Sequence, residues 1–529
     1  MKDFGAFDGI ARSSSAFRIG ERFDQESEIA LAGSLTGRML DAFARLLAGS
    51  AIARYLKRET AYRSILSSSF VARLLTALFE ALHRPVARVA SLIDGSFTGW
   101  RRIWAGSRVS DYWRYLYRFE TGVVFLALFI PVELYLFQFL PRTVKYLVEL
   151  GLFVMTGVLF LSALAGRRRF FWTELELPVS AFAVVALLSA VVNGVPLIIT
   201  IAGIRALLQF YLLYFIVVQA SFDRVWLKRL VLGLLGFAVL LALFGLTQKL
   251  TGVKTPIMVD IRETTIKGRI ISTFANPNNF GGFLLLMLPG AIALFVTRVK
   301  AGLRFFAGFA VLAMLPALIF TYSRGAWIGF GAALVILSIL LDRRILVGLA
   351  LAVVALFVLV PNVIDRLAFA LSTSYIKTSI EAGRLFYWQK ALDIMMTNPL
   401  LGVGPGRFGG AVAAVFGAPA NALIGLAPNY KLWVDSQIFQ VIAELGMLGL
   451  AVFFWVPLTF VKNAIAFMKR EEDPFWRAYA AGAIASITGI LIQGVVVGVW
   501  ETHQISAFFW LTMAIVMSLA IRVSSGVDA

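Results

Sequence analysis

The chain has 529 residues, a formal net charge of +19 and a hydrophobic fraction of 60%, which is far above that of an average soluble domain. This composition excludes a soluble globular enzyme and predicts an all-α polytopic membrane protein. Cysteine is absent, which excludes disulfides, a thiolate nucleophile and a cysteine metal site. The positive charge does not predict nucleic-acid binding, because the basic residues stand in short loops between apolar stretches, where anionic lipid headgroups attract them.

Residues 1–119 are predicted to form a separate basic region in the cytoplasm. Segments 34–56 and 69–90 place apolar residues at three- and four-residue spacings with arginine on the other faces. This pattern is typical of amphipathic helices that lie on a membrane surface. Docking of the region to a partner protein is the alternative. No long apolar core stands near its start, so it does not resemble a cleaved signal peptide.

About twelve apolar stretches follow, each with roughly the twenty residues that a helix needs to cross a bilayer. The predicted spans are residues 121–141, 144–165, 177–197, 199–219, 229–249, 280–297, 304–321, 326–341, 345–361, 437–461, 477–499 and 504–522. Residues 120–523 are therefore predicted to form one transmembrane domain. Its longest loop, residues 362–434, lies between the ninth and tenth spans and is called the long loop below.

Every second loop between the spans is short and basic. These loops carry Arg167 to Arg169, Arg224, Lys228, Arg229, Arg298, Lys300, Arg304, Arg343, Arg344, Lys469 and Arg470. Lys/Arg-rich loops face the cytoplasm in a bacterial-type inner membrane. We therefore predict a multi-pass inner-membrane protein with both termini in the cytoplasm, and with loop 248–279 and the long loop outside.

The loops on the predicted outer face carry few arginines, and these stand in distinctive surroundings. They are Arg269, Arg324, Arg384 and Arg407. Arginine on that face opposes the orientation bias, which indicates another role. An anionic, lipid-linked substrate would suit these side chains, because a guanidinium is permanently charged and its fork matches phosphate oxygens. For Arg324, the alternative is a side chain that extends to the membrane interface only for its own solvation.

An Asn-Pro-Asn turn presents amide side chains beside Arg269. Asn276 and Asn278 are therefore candidate contacts for a polar ligand. The alternative for the asparagines of this turn is structural, with Asn279 capping the next helix.

A glycine-rich stretch, residues 402–409, surrounds Arg407 and is called the glycine-rich loop below. Glycine near a cation could indicate a nucleotide phosphate loop. However, no strand pattern precedes the stretch and no Gly-Lys-Ser/Thr follows it. The sequence therefore does not predict a nucleotide site.

Asp435 begins the segment that enters the membrane after the long loop. A carboxylate at a helix N-terminus caps backbone amides and suits the helix dipole. Asp435 would also face the arginines, so a helix cap paired with an arginine is one interpretation. Three other ionisable residues fall within the predicted spans, Glu133, Glu149 and Arg205. For these, a functional role and a structural carboxylate–arginine pair both remain open.

Five segments, taken together and in order, resemble the O-antigen ligase and O-antigen polymerase superfamily. They read GRIISTFANPNNFGG (268–282), TYSRGAW (321–327), GRLFYWQKA (383–391), NPLLGVGPGRF (398–408) and DSQIFQVIAELGMLGL (435–450). The resemblance covers roughly residues 121–522. It implies a metal-independent, membrane-embedded glycosyltransferase of the GT-C kind that needs no cofactor. Such enzymes move a glycan from undecaprenyl diphosphate to an acceptor hydroxyl on the outer face.

The resemblance also implies residue roles. The four outer arginines, Arg269, Arg324, Arg384 and Arg407, would bind the diphosphate of the donor, and at least the first three should converge on one cavity. Asn276, Asn278, Ser436 and Gln437 would contact the acceptor or the sugars. The N-terminal region would then be available to dock other polysaccharide-assembly proteins.

The family ligases carry a histidine, their proposed catalytic residue, where this chain has Asp435. Asp435 is therefore the first candidate for the general base, and displacement at C1 would invert the anomeric configuration. His503 or Glu501 is the second candidate, because the only other histidine, His83, belongs to the cytoplasmic region.

Replacement of the ligase histidine favours polymerases and related capsule or cell-wall glycan transferases over ligases that act on a lipid A core. It also leaves open a scaffold subunit with a degenerate site. A transporter or flippase of lipid-linked oligosaccharide or of a small anion is the rival from another class. The sequence shows no obvious paired halves or broken-helix repeats, and its polar motifs cluster on one face, which favours the transferase.

Overall fold

The computed structural model describes residues 119–137, 146–165, 170–220, 222–252, 268–274, 276–348, 372–425 and 434–525, with a few isolated positions besides. Most of the predicted N-terminal region and most of the ninth predicted span therefore lie outside the described residues. All regular elements in the described part of the chain are helices, and no strand occurs there. The all-α prediction is confirmed.

Sixteen α-helices, α1 to α16 in chain order, organise the described residues. Helices α1 to α7 are Phe119–Phe129, Glu133–Leu136, Leu147–Leu164, Glu176–Val192, Leu197–Leu208, Tyr211–Ala220 and Arg224–Thr251. Helices α8 to α16 are Pro277–Val296, Ala301–Phe320, Arg324–Leu340, Thr373–Ala382, Arg384–Thr397, Ala411–Phe416, Gln437–Arg470, Pro474–Gln493 and His503–Ser525. A 3₁₀ helix, Pro419–Ile424, lies in the long loop with α11 to α13.

Seven of these helices are long and apolar enough to cross a membrane: α3, α7, α8, α9, α14, α15 and α16. An eighth span results if α5 and α6, which bend by 57° at a short break, are counted as one. Helices α1, α4 and α10 are apolar but shorter, with 11, 17 and 17 residues, against the roughly twenty that a straight crossing needs. The multi-pass class is confirmed, whereas the count of about twelve spans is not.

Large apolar side chains cover the outside of the bundle. Leu250, Phe305 and Leu312 are 86%, 80% and 75% exposed, respectively. A soluble monomer rarely exposes so many contiguous apolar groups. These surfaces therefore face lipid.

Helices α8, α10 and α15 pack closely because small residues face each other where they cross. A Cβ atom built on Gly329 of α10 would lie 2.5 Å from the backbone oxygen of Gly489 in α15. Only glycine allows this approach of the two backbones. The beginning of α10 is thereby held beside the beginning of α8 and the end of α15. We call the face of the bundle on which α8, α10, α14 and α16 begin the motif face.

Ion pairs fasten the start of α7 to the end of α14, at the face opposite the motif face. The two terminal nitrogens of Arg224 donate to the Glu471 carboxylate at 3.1 and 3.0 Å. Lys228 lies 4.0 Å from Asp473. Part of the basic charge of these loops is therefore used within the protein.

Two of the ionisable residues within the predicted spans, Arg205 and Glu149, form an ion pair with each other. The Arg205 guanidinium of α5 bonds the Glu149 carboxylate of α3, and its Nε donates to the Gln209 side chain at 3.2 Å. This is the carboxylate–arginine pair among the early helices that the sequence left open.

Candidate functional site

A small cavity opens on the motif face between the beginnings of α8 and α10, the beginning of α12 and the segment after α15. Its walls are formed by Asn278, Ser323, Arg324, Gly325, Arg384, Val496 and Val497. Two of the four predicted diphosphate-binding arginines, Arg324 and Arg384, therefore line one cavity.

Arg324 reaches the cavity from the first position of α10, after a sharp turn. Tyr322 in that turn is 2% exposed and adopts a left-handed conformation with φ 50°, which is rare for a bulky residue. Arg324 Nη2 donates to the Tyr375 hydroxyl at 2.9 Å, and the guanidinium lies 4.8 Å from the centre of that ring. The turn therefore holds the Arg324 guanidinium between the cavity and α11 of the long loop.

Arg269 lies behind the cavity wall, and its guanidinium is bonded to protein groups. Its Nε donates to the Thr321 carbonyl at 2.8 Å, and its Nη2 donates to Asn278 Oδ1 at 3.1 Å. Since Asn278 lines the cavity, Arg269 joins the site through this amide. It also ties the Asn-Pro-Asn turn to the turn before α10.

The segment before α8 is shaped by a side-chain clamp from α7. Ser272 is buried and adopts φ 54°. The Gln248 amide accepts from the Ser272 N–H at 2.8 Å and donates to its carbonyl at 2.9 Å. Asn276 then caps α8 by accepting from the Asn278 N–H at 2.7 Å. The structural alternative for this turn is therefore realised by Asn276 and not by Asn279, and Asn276 remains exposed.

Arg384 begins α12, and its Nη2 lies 3.6 Å from Asp435 Oδ2. The Arg384 side chain is 26% exposed and the Asp435 side chain 47%. Asp435 does not cap α14, because the preceding position of the helix belongs to Ser436, whose hydroxyl accepts from the Phe439 N–H at 3.3 Å. Of the interpretation as a helix cap paired with an arginine, the arginine pair is present, whereas the cap position belongs to Ser436.

Ser436 and Gln437 have structural contacts on their buried sides. The Gln437 N–H donates to the Gly494 carbonyl at 2.8 Å, and Gln437 Oε1 accepts from the Trp500 N–H at 2.8 Å. Both side chains are fully buried. They hold the 494–500 loop, which supplies two valines to the cavity wall. Contact of these two residues with a sugar, as the sequence predicted, would require this loop to open.

The glycine-rich loop docks onto α14 where that helix is broken at Gly446, which has φ 64°. The break leaves backbone groups without helical partners, and the glycine-rich loop supplies two of the partners while Pro399 and Leu400, just before it, supply the other two. The four bonds are Val403 N to Ala443 O at 3.0 Å, Gly404 N to Glu444 O at 2.9 Å, Met447 N to Pro399 O at 2.9 Å, and Leu448 N to Leu400 O at 3.2 Å. Two of the family-like segments are thereby joined through their main chains.

Two backbone N–H groups, one in the glycine-rich loop and one just after it, donate to carboxylates of the protein itself. The Phe408 N–H donates to Glu444 at 3.1 Å, and the Ala411 N–H donates to Glu501 at 3.0 Å. Gln440 also donates to Glu501, at 2.6 Å. Burial raises the pKa of Glu501, although these two hydrogen bonds oppose the shift. These two amides are therefore used within the fold.

His503 stands against the early helices. Its Nδ1 lies 3.5 Å from Glu133 Oε1 of α2, a carboxylate in a side chain that is 2% exposed. The Phe210 ring meets the imidazole edge-on at 5.3 Å. His503 is not part of the wall that carries Arg324 and Arg384. The structure therefore separates the second candidate base from the arginine cavity.

Arg407 lies on the side of the glycine-rich loop that faces α4. Its Nη1 donates to the Asn193 carbonyl at 3.2 Å, and it does not line the cavity. The loop nevertheless passes close to Asp435, because the Val434 N–H donates to the Gly409 carbonyl at 2.9 Å. The structure brings three of the four predicted arginines to the cavity or its wall and leaves Arg407 apart.

Sequence reasoning missed Gln248, Gln440 and Tyr375. Gln248 and Gln440 could have been found as polar side chains near the ends of otherwise apolar spans, where an amide needs a partner. Tyr375 carries no comparable signal, because an aromatic residue in a loop helix is ordinary.

The family model described as O-antigen ligase matches residues 309–454, roughly a quarter of the chain. The match begins within α9 and ends within α14, so it contains Arg324, Arg384, Arg407 and Asp435. It begins after Arg269 and ends before Glu501 and His503. No curated protein matches the chain. The family match confirms, over residues 309–454, the predicted resemblance to the O-antigen ligase and O-antigen polymerase superfamily.

Proposed function

We propose that the chain transfers a glycan from an undecaprenyl-diphosphate carrier to an acceptor hydroxyl on the outer face of the inner membrane. The product would be a surface polysaccharide such as O-antigen, capsule or cell-wall glycan. The observation that carries this proposal is the cavity in which Arg324 and Arg384 meet, with Asp435 beside Arg384. The match to the O-antigen ligase family supports it.

The arginines supply the electrostatic part of the reaction. Breaking the bond between sugar C1 and the diphosphate leaves negative charge on the phosphate oxygens. Two permanently charged guanidinium groups stabilise that charge, and each can bond two oxygens at once. Preorganised donors of this kind are often the largest source of catalysis. In this scheme Arg269 does not bind the diphosphate directly but holds the side chain of Asn278, a residue of the cavity wall, in place.

Asp435 is the first candidate for the base that accepts the proton of the acceptor hydroxyl. In the absence of donor its carboxylate lies 3.6 Å from the Arg384 guanidinium and is paired with it. A bound diphosphate would compete for Arg384 and free the carboxylate when the donor is in place. Attack of the acceptor oxygen on C1, opposite the departing diphosphate, would invert the anomeric configuration.

Transport of a lipid-linked oligosaccharide or a small anion is a second candidate, favoured by one observation. Helices α5 and α6 form a bent pair with an angle of 57°, and interrupted helices are common at the binding sites of carriers. The arginine cavity on one face and the family match favour transfer over transport.

The test uses the full chain in proteoliposomes with an undecaprenyl-diphosphate-linked glycan and a matching acceptor glycan. We expect a new glycosidic product and released undecaprenyl diphosphate, both lost in the double variant Arg324→Gln, Arg384→Gln. Arg477→Gln, at an exposed position, is the matched control and should keep activity. Movement of the donor across the bilayer without any product would instead support the transporter.

A further inference from the structure

Tyr375 contacts Arg324 through both its hydroxyl and its ring. The hydroxyl accepts from Arg324 Nη2 at 2.9 Å, and the ring lies 4.8 Å from the guanidinium carbon. Tyr375 belongs to the first turn of α11, which Ser372 caps by accepting from the Tyr375 N–H at 3.2 Å. A residue of the long loop is therefore held against Arg324, which is one of the residues that line the cavity.

Helix α11 is closely joined to α12, the helix that carries Arg384. The two helices meet at Gly383, where a Cβ atom would lie 2.6 Å from the Ser379 backbone. The Ser379 hydroxyl also accepts from the Leu385 N–H at 3.2 Å. This close contact fixes the position of Tyr375 relative to Arg384. The helical pair α11 and α12 of the long loop therefore places two side chains at the site.

The hydrogen bond to Arg324 leaves the Tyr375 hydroxyl able to act as a donor. A tyrosine hydroxyl has one hydrogen to donate and lone pairs that accept. Here a lone pair is used by Arg324, and among the described residues no acceptor is bonded to the hydroxyl hydrogen. An anion held between Arg324 and Arg384 would provide one.

We propose that Tyr375 is a further ligand of the anion site, with its hydroxyl donating to a phosphate oxygen of the diphosphate that Arg324 and Arg384 bind. This inference rests on the proposed function. Because the bond from Arg324 uses a lone pair of the hydroxyl, its hydrogen stays available to an anion bound beside the guanidinium. A hydrogen bond to a charged oxygen is stronger than one between neutral groups.

Tyr375→Phe isolates the hydroxyl, because phenylalanine keeps the ring beneath the guanidinium. The full chain, purified in detergent, is titrated with farnesyl diphosphate and, separately, with inorganic pyrophosphate. We expect Tyr375→Phe to weaken binding of both probes by about tenfold, the scale of one hydrogen bond to a charged group. Tyr387→Phe, a tyrosine of the same loop that packs in a separate apolar cluster, is the matched control and should bind as the wild type does.

A double-mutant cycle separates direct contact from orientation of the arginine. If the hydroxyl donates to the phosphate, Tyr375→Phe still weakens binding in an Arg324→Ala background. If it only orients Arg324, the tyrosine substitution costs nothing there, and the proposal is overturned.

Three further results would overturn the inference: unchanged binding in Tyr375→Phe, a loss for farnesyl diphosphate without a loss for pyrophosphate, or no binding of either probe by the wild type. Binding is measured without an acceptor. Tyr375-dependent binding in a chain that transfers no glycan would therefore contradict the proposed function and leave this inference standing.

Discussion

The carboxylate of Asp435 lies 3.6 Å from the guanidinium of Arg384. Arg384 begins α12 within the long loop, whereas Asp435 directly follows the end of that loop. Arg384 also lines the cavity with Arg324, so the pair stands at the rim of the proposed diphosphate site. An ion pair that is partly exposed contributes little to stability. Its value in our scheme is functional, because a bound anion can exchange with the carboxylate.

Arg384→Lys should reduce transfer by about a hundredfold, the order of losing one preorganised donor. Lysine keeps the charge but cannot present two parallel N–H groups to a phosphate or to Asp435. Initial rates at saturating lipid-linked donor provide the measurement. Arg477→Lys, at an exposed position, should behave as the wild type does. Wild-type rates in Arg384→Lys would show that charge alone suffices at this position.

Gly402→Ala should lower the unfolding temperature and abolish transfer. Gly402 has φ 64°, and a Cβ atom there would lie 2.4 Å from the Glu444 backbone. The left-handed conformation alone costs a non-glycine residue about 1–3 kcal/mol, and the clash would also push the glycine-rich loop off α14.

Gly425→Ala is the control for this prediction. Gly425 has φ 72° and open space around its Cβ position, so alanine there adds strain without a clash. Thermal unfolding followed by tryptophan fluorescence should show a smaller shift for Gly425→Ala. Equal shifts would mean that the contact between the loop and α14 is not important for stability.

The pH dependence of stability should depend on Glu501, whose pKa burial raises above the ordinary value of 4.5. A carboxyl group with a raised pKa contributes stability that is fully present below its unfolded pKa and is lost as pH rises through the folded pKa. Unfolding should therefore occur at a lower temperature near pH 8 than near pH 5, and Glu501→Gln should reduce that difference. Glu381→Gln, at an exposed position, should leave the difference unchanged.

Cysteine labelling should place the long loop outside. The chain has no native cysteine, and Val415 in α13 is 77% exposed. In intact spheroplasts a membrane-impermeant maleimide should label Val415→Cys and should not label Lys469→Cys, which lies in a loop predicted to be cytoplasmic. Labelling of Val415→Cys only after lysis would reverse the orientation and remove the basis for an outer-face transferase.

Most of the membrane-embedded fold could be predicted because apolar length is a property of local sequence. The predicted spans overlap α3, α7, α8, α9, α14, α15 and α16, although α14 ends nine residues beyond its predicted span and α15 ends six residues before its own. The count of about twelve is not confirmed, because α1, α4 and α10 are shorter than the roughly twenty residues of a straight crossing and most of the ninth span lies outside the described residues.

The site was predictable where it depends on charge and less so where it depends on backbone geometry. The meeting of Arg384 with Asp435 followed from opposite charges expected at one membrane face. The docking of the glycine-rich loop on α14 could not be predicted from charge, because main-chain hydrogen bonds do not depend on residue type, apart from the need for glycine in the loop. The position of Arg407 against α4 depends on the path of that loop, so it could not be predicted either.

The last prediction concerns the base and compares Asp435→Asn with His503→Ala. If Asp435 accepts the proton, Asp435→Asn should reduce turnover by about 10²–10⁴-fold, the contribution of a positioned base. It should not weaken donor binding, because the arginines remain and the carboxylate that competes for Arg384 is removed. His503 contacts Glu133 and Phe210 and does not line the cavity, so His503→Ala should lose much less turnover.

Normal turnover in Asp435→Asn together with none in His503→Ala would instead assign the role of the base to His503. The Glu133 carboxylate beside Nδ1 would then orient the imidazole. In that case Glu133→Gln should lose turnover as His503→Ala does, whereas Asp435→Asn should keep it. Normal turnover in both single variants would leave stabilisation of the departing diphosphate by Arg324 and Arg384 as the main source of catalysis, since a good leaving group lessens the need for a base.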